Sequence, residues 1–157
     1  MGKFPKVIML SIACCFAASV AIAQKTTKPA AQKFKPPVLI TVLGNYKDSV
    51  SIGVEDAEKI IALPLKIYDA NKTAYTVSSY NFLYRRRVVT EDEKTGKVSP
   101  ASSMSSSMFT TTPLPALWVD QVREKLKPGE ELFFFDVVAK DPQGRVMYAP
   151  NLKILTQ

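Results

Sequence analysis

The chain has 157 residues, a formal net charge of +7, 46% hydrophobic residues, two cysteines and no histidine. That length suits about one domain with a core of its own. With no imidazole, and with both thiols at Cys14 and Cys15, the commonest general bases, nucleophiles and soft metal ligands are missing from everything after residue 15.

Lys3 and Lys6 precede an apolar run over residues 7–22, and Ala21-Ile22-Ala23 fits the small-residue rule for cleavage. Residues 1–23 therefore read as a secretory signal peptide cut before Gln24. The run falls short of the roughly 20 residues that a membrane-spanning helix needs. Cys14 and Cys15 raise the alternative of a lipid anchor, but the residues before them fit a lipidation site poorly and the apolar run continues past them. The exported chain would then hold no cysteine, so a packed core and not disulfides must stabilise it. Residues 24–36 contain Lys25, Lys28, Lys33 and Lys35 and no acid, a composition that reads as a flexible basic spacer. Residues 37–157 are close to charge balance, so the basic pI belongs to the spacer, which speaks against nucleic-acid binding.

The folded part opens with an apolar strand over 38–43. The segment Val54-Glu55-Asp56-Ala57-Glu58-Lys59-Ile60-Ile61-Ala62 predicts a short helix near 56–61, whose acids suit the positive end of its dipole and need no catalytic role. Strands follow at 65–68 and 74–88. In the second, Tyr80, Phe82 and Tyr84 alternate with Ser79, Asn81 and Leu83, so one face is aromatic and buried. Arg85-Arg86-Arg87 ends it. These arginines either guard an exposed strand end by pairing with Glu91 to Glu93 across a hairpin, or form a docking surface. A short strand at 97–99 leads into residues 99–115, rich in Ser and Thr, which read as a long surface loop. Within it Met104, Met108 and Phe109 are either pins to the domain or soft contacts for a partner.

Pro115 starts the clearest helix, 115–126. Leu114, Trp118, Val122 and Leu126 recur every four residues with Leu117 alongside, so that face packs on a sheet with Trp118 as a core anchor. Strands at 131–140, 145–148 and 152–155 are punctuated by the turns Lys127-Pro128-Gly129-Glu130 and Asp141-Pro142-Gln143-Gly144. Asp136 interrupts the first of these strands after Phe133 to Phe135; it shares a face with Phe134 and Val138 unless a bulge turns it out. The fold class that follows is mainly β: an immunoglobulin-like β-sandwich of about seven strands with one short and one longer α-helix.

The order of helix, Pro-Gly turn, strand ending in Asp136-Val137-Val138-Ala139-Lys140, Asp-Pro-Gln-Gly turn and final Leu152-Lys153-Ile154 strand resembles the C-terminal periplasmic domain of the gliding-motility and type IX secretion protein GldM and its relative PorM. The resemblance extends over residues 36–157. It implies a non-enzymatic, periplasmic protein-binding module without cofactors, whose partner is a protein of the secretion or gliding ring. The loop at 99–115 is longer than in that family, so contacts there do not carry over. No calcium loop, phosphate loop or catalytic constellation stands in the sequence. The residues that point to a partner-binding surface are Tyr84, Arg85, Arg86, Arg87, Met104, Met108 and Phe109. An alternative is a secreted sandwich that binds a small ligand or glycan in a cleft lined by Tyr80, Tyr84, Met108 and Phe109.

Overall fold

The computed structural model describes residues 34–157. The expected signal peptide, and residues 24–33 of the expected spacer, lie outside the described residues. Nine strands and two helices follow in chain order: β1 (Leu39–Leu43), β2 (Tyr46–Lys47), β3 (Ser49–Ile52), α1 (Val54–Ile60), β4 (Leu65–Asp69), β5 (Ala74–Glu91), β6 (Val98–Phe109), α2 (Ala116–Lys125), β7 (Glu131–Lys140), β8 (Val146–Ala149) and β9 (Leu152–Thr156). Among the described residues no helix is long and apolar enough to cross a membrane.

The chain is mainly β, and its strands form one sheet in the order β2-β1-β4-β5-β7-β9-β3, with β6 added to β5 and β8 to β7. The 18-residue β5 is its spine. Its start pairs with β4, its middle with β7, and its last two thirds with β6. Every pairing is antiparallel except that of β3 with β9. The sheet curls until it is nearly closed: the Thr41 hydroxyl of β1 donates to the Pro150 carbonyl, between β8 and β9, at 2.6 Å.

The alternation expected in β5 is what builds the core. Tyr80, Phe82 and Tyr84 are buried on one face, joined by Leu132 and Phe134 from β7, Leu152 and Ile154 from β9, and Leu43, Leu65 and Ile67 from β1 and β4. Phe82 and Phe134 meet at 5.0 Å between ring centroids, and Trp118 stands edge-on to Phe82 at 5.8 Å. Trp118 thus seats α2 on the sheet. The helix buries Val119 and Val122, while Leu117, expected beside Trp118, is 68% exposed. A stripe of 118, 119, 122 and 126 follows the 3.6-residue period, and residue 117 lies one step off it.

Two expectations change. The Ser/Thr-rich stretch read as a surface loop is, up to Phe109, the 12-residue strand β6, in unbroken register with β5 from Tyr80↔Phe109 to Glu91↔Val98. Serine weakens the hydrophobic alternation without preventing backbone pairing, so the strand forms because β5 offers it a long edge. Asp136 is turned out by a bulge. Its φ is +49°, the β5–β7 register slips beside it between Ser79 and Asn81, and burial resumes at Val137 in place of residue 136. The exposed carboxylate accepts from Asn81 Nδ2 at 3.2 Å. Because a left-handed backbone costs an L-residue about 1–2 kcal/mol and glycine little, Asp136→Gly should be neutral or stabilising in urea titrations. Asp136→Val should cost roughly 1–3 kcal/mol.

The turns are held by aspartates. Asp69 Oδ1 accepts the amides of Asn71 and Thr73 at 2.8 Å, and Oδ2 accepts the Tyr75 hydroxyl at 3.2 Å. The Thr73 amide does most to hold its pKa below the ordinary carboxylate value. Burial pushes the Asp141 carboxyl up, but the side chain and amide of Arg145 and the amide of Gln143 outweigh it, so this pKa is lowered too. A depressed carboxylate stabilises the fold above its unfolded pKa, and that stabilisation is lost as pH falls through the folded value. The urea midpoint should therefore hold steady at neutral pH and decline below about pH 4. Asp69→Asn with Asp141→Asn should flatten that decline.

Candidate docking site

β7 leaves β5 at the pair Arg85↔Glu131, but β6 continues to pair as far as Glu91↔Val98. The last third of β5 and the first half of β6 therefore run on as a two-stranded ribbon beyond the sheet. A two-stranded ribbon is marginal alone, so its root must be anchored. The anchor is Glu130, which is only 2% exposed. Its carboxylate accepts the Tyr84 hydroxyl at 2.5 Å, the Arg87 amide at 3.1 Å and the Lys127 amide at 3.1 Å. Its own amide donates to Thr156 Oγ1 at 2.9 Å, and that hydroxyl donates to the Lys127 carbonyl at 2.6 Å. One residue thus ties β5 and the turn before β7 through its side chain and β9 through its backbone. Burial first, and then the Glu130 carboxylate, push the Tyr84 hydroxyl pKa well up; burial pushes Tyr80 up to about 12. Both phenols stay protonated hydrogen-bond donors.

Nothing in the sequence singled out Glu130, since a glutamate after Pro-Gly reads as a surface charge. Its one signal was the second acid, Glu131, which leaves Glu130 on the opposite, inward side of the strand start.

All seven residues expected at a partner surface sit on β5 and β6, and the pairing brings them side by side, with Arg85 opposite Met104 and Asn81 opposite Met108. They divide between two faces. Arg85, Arg87, Met104 and Met108 share the outward face, where Met104 is 61% and Met108 65% exposed. Tyr84 is buried, and Phe109 packs edge-on to Trp118 at 5.7 Å. Those two belong to the core, which corrects their expected place on the surface: their parity along the strand turns them inward. The same parity separates Met108 from Tyr80, Tyr84 and Phe109, so these four line no common cleft.

The arginines do not pair with Glu91 to Glu93 as expected, because those acids lie at the far tip, where Asp92 closes the turn through the amides of Lys94 and Thr95. Arg85 instead reaches Glu131 at 3.3 Å, which Lys153 also meets at 3.1 Å. Arg86 lies 5.9 Å over the Tyr84 ring and donates to Ser103 Oγ at 3.4 Å. The Arg87 guanidinium rests on Gly129, whose φ is +81° and where an added Cβ would stand 2.5 Å from Arg87 Cζ. The positive φ is what calls for glycine there, since the Arg87 guanidinium ends a flexible side chain that can swing aside.

The outward face continues from the ribbon onto β7, where Phe133, half-buried and paired with Leu83, stacks on Phe135 at 5.3 Å. Methionines, stacked phenylalanines and Leu83 make an apolar field bordered by Arg85, Arg87 and Lys153. Beside it an open groove of about 1110 Å³ runs between the ribbon and the sheet end, with Arg85, Arg87, Val89, Lys127, Gly129 and Leu155 on its walls. Apolar contact area with arginines at its margin is the composition of a protein-binding surface. Among the described residues no three His, Cys, Asp or Glu side chains come together to hold a metal ion. No protein-family model matches the chain, and no curated protein matches it either.

Proposed function

We propose that this chain is a non-enzymatic, exported protein-binding module that engages its partner through the outward face of the β5–β6 ribbon. The observation that carries the reading is the cross-strand placement of Arg85 and Arg87 beside Met104 and Ser102 on an open face, with the ribbon root fixed by Glu130. A rigid root and an exposed, mixed apolar and cationic face limit the ordering cost of binding. The likeness of its closing turns and strands to the GldM terminal domain supports a periplasmic setting after signal cleavage and a partner in the gliding or type IX secretion machinery. The finer immunoglobulin-like description belongs to the same reading; the mostly antiparallel strands wrapped around one aromatic core are its support.

The test is the triple substitution Arg85→Ser, Arg86→Ser, Arg87→Ser. Arg85 and Arg87 are exposed, Arg86 is half-buried and the Arg87 amide stays in place, so the thermal transition should move by only a few degrees. Partner retention from envelope extract should fall by roughly tenfold or more. Unchanged retention by a folded triple variant would sink the proposal.

A further inference from the structure

β6 is an edge strand without the usual protection. Among the described residues it pairs only with β5, which leaves its second edge open along twelve residues. Natural edges of such length carry lysines, inward charges, bulges or prolines. From Val98 to Phe109 there is no charged residue, the β5–β6 register has no bulge, and the one proline, Pro100, lies near the ribbon tip. An edge left this regular and this neutral is suited to pairing.

We infer that β6 pairs antiparallel with β6 of a second copy of this chain, about a two-fold axis at Ser106. The sequence around that residue is nearly its own mirror image: Ser105 matches Ser107, and Met104 matches Met108. In an isologous antiparallel pair, residue i meets j and j meets i. Centring on Ser106 therefore sets Met104 against the second copy's Met108, and Ser105 against its Ser107. The two most exposed apolar side chains of the strand thus cover one another on the same face, as cross-strand pairs do. A one-residue slip would break the methionine pairing and turn one copy's strand face over.

Charge does not oppose the pairing despite the net +7 of the chain. The arginines stand on β5, so three strand spacings, roughly 14 Å, separate them from the second copy's β5. That exceeds the Debye length of about 8 Å at physiological salt. Edge pairing leaves both outward faces open, so the dimer would present two docking faces in one continuous sheet. The inference does not depend on what docks there.

Sedimentation velocity of the full chain over a concentration series tests it, with two substitutions at the axis made in a Cys14→Ser, Cys15→Ser background. Ser106→Lys places like charges directly opposite each other across the two-fold and should weaken association by roughly tenfold. Ser106→Cys places two thiols on directly opposed residues, whose Cα separation of about 4.5–5.5 Å lies within the range a disulfide spans, so mild oxidation should link the copies covalently. Residue 106 is exposed, and unaltered circular dichroism would show that both variants fold. The expected result is a species of twice the chain mass that Ser106→Lys dissociates and Ser106→Cys locks. A monomer at every concentration overturns the inference, whether or not it takes up strands from other proteins, as does a dimer indifferent to either substitution.

Discussion

Glu130→Ala is expected to be among the most damaging single changes in the molecule, lowering stability by about 3–5 kcal/mol. Truncation leaves the buried Tyr84 hydroxyl and the part-buried amides of Arg87 and Lys127 without their acceptor. It also opens a cavity at the junction of β5, β7 and β9. The magnitude decides the interpretation, because a surface glutamate would change stability by no more than about 0.5 kcal/mol. Glu130→Gln keeps one acceptor oxygen but turns an amide group toward donors, so an intermediate loss of roughly 1–3 kcal/mol is expected. Tyr84→Phe removes one donor of the set, and a double-mutant cycle with Glu130→Gln should show coupling, since the two side chains meet directly. Urea unfolding of the four proteins measures all of this. A loss under about 1 kcal/mol for Glu130→Ala would mean that the ribbon root is held by something else.

Phe82→Ala should cost a similar amount, about 3–5 kcal/mol, for a different reason. Phe82 is fully buried at the centre of the aromatic cluster, against Phe134 from the neighbouring strand and Trp118 from α2. Its removal unseats the helix from the sheet as well as emptying core volume. A loss of that size is a large part of the roughly 5–15 kcal/mol that holds a domain together, so the variant should unfold near physiological temperature or fail to accumulate. Met108→Ser, one residue pair away on the opposite face of β5 and β6, should stay within about 0.5 kcal/mol of the native protein. The contrast, read by thermal unfolding, checks the face assignment: equal losses at both positions would contradict it.

Much of this fold was legible wherever side-chain pattern and backbone geometry agree. The alternation of Tyr80, Phe82 and Tyr84 announced the inward face of β5, and the acids of Glu55 and Asp56 announced the first turn of α1. The Asp141 turn stands where its residues placed it. Strand β6 was hidden because six serines dilute the hydrophobic signal, and pairing with a long neighbour supplies the stability that composition withholds. β3 was hidden for a related reason: four residues carry too little pattern, and its parallel partner β9 lies about a hundred positions away. The same limit applies to the candidate site. Arg85 to Arg87 and the methionines stood out by type, but only the register could show that they share one ribbon, and only burial could show that Tyr84 and Phe109 turn away from it. Glu130 left only the faint signal of the acid beside it, because its role is set by donors from separate segments.

The outward face of the ribbon as the docking surface is the central claim, and in-cell photo-crosslinking tests it most directly. A photoreactive residue would be placed at Met104, on that face, and separately at Tyr148 of β8, which is 78% exposed and lies off the ribbon. The account predicts a discrete adduct with a different protein from position 104, distinct in mass from any self-dimer, and none from position 148. Adducts of equal yield from both positions, or none from position 104 in cells where the protein is abundant and folded, would contradict it.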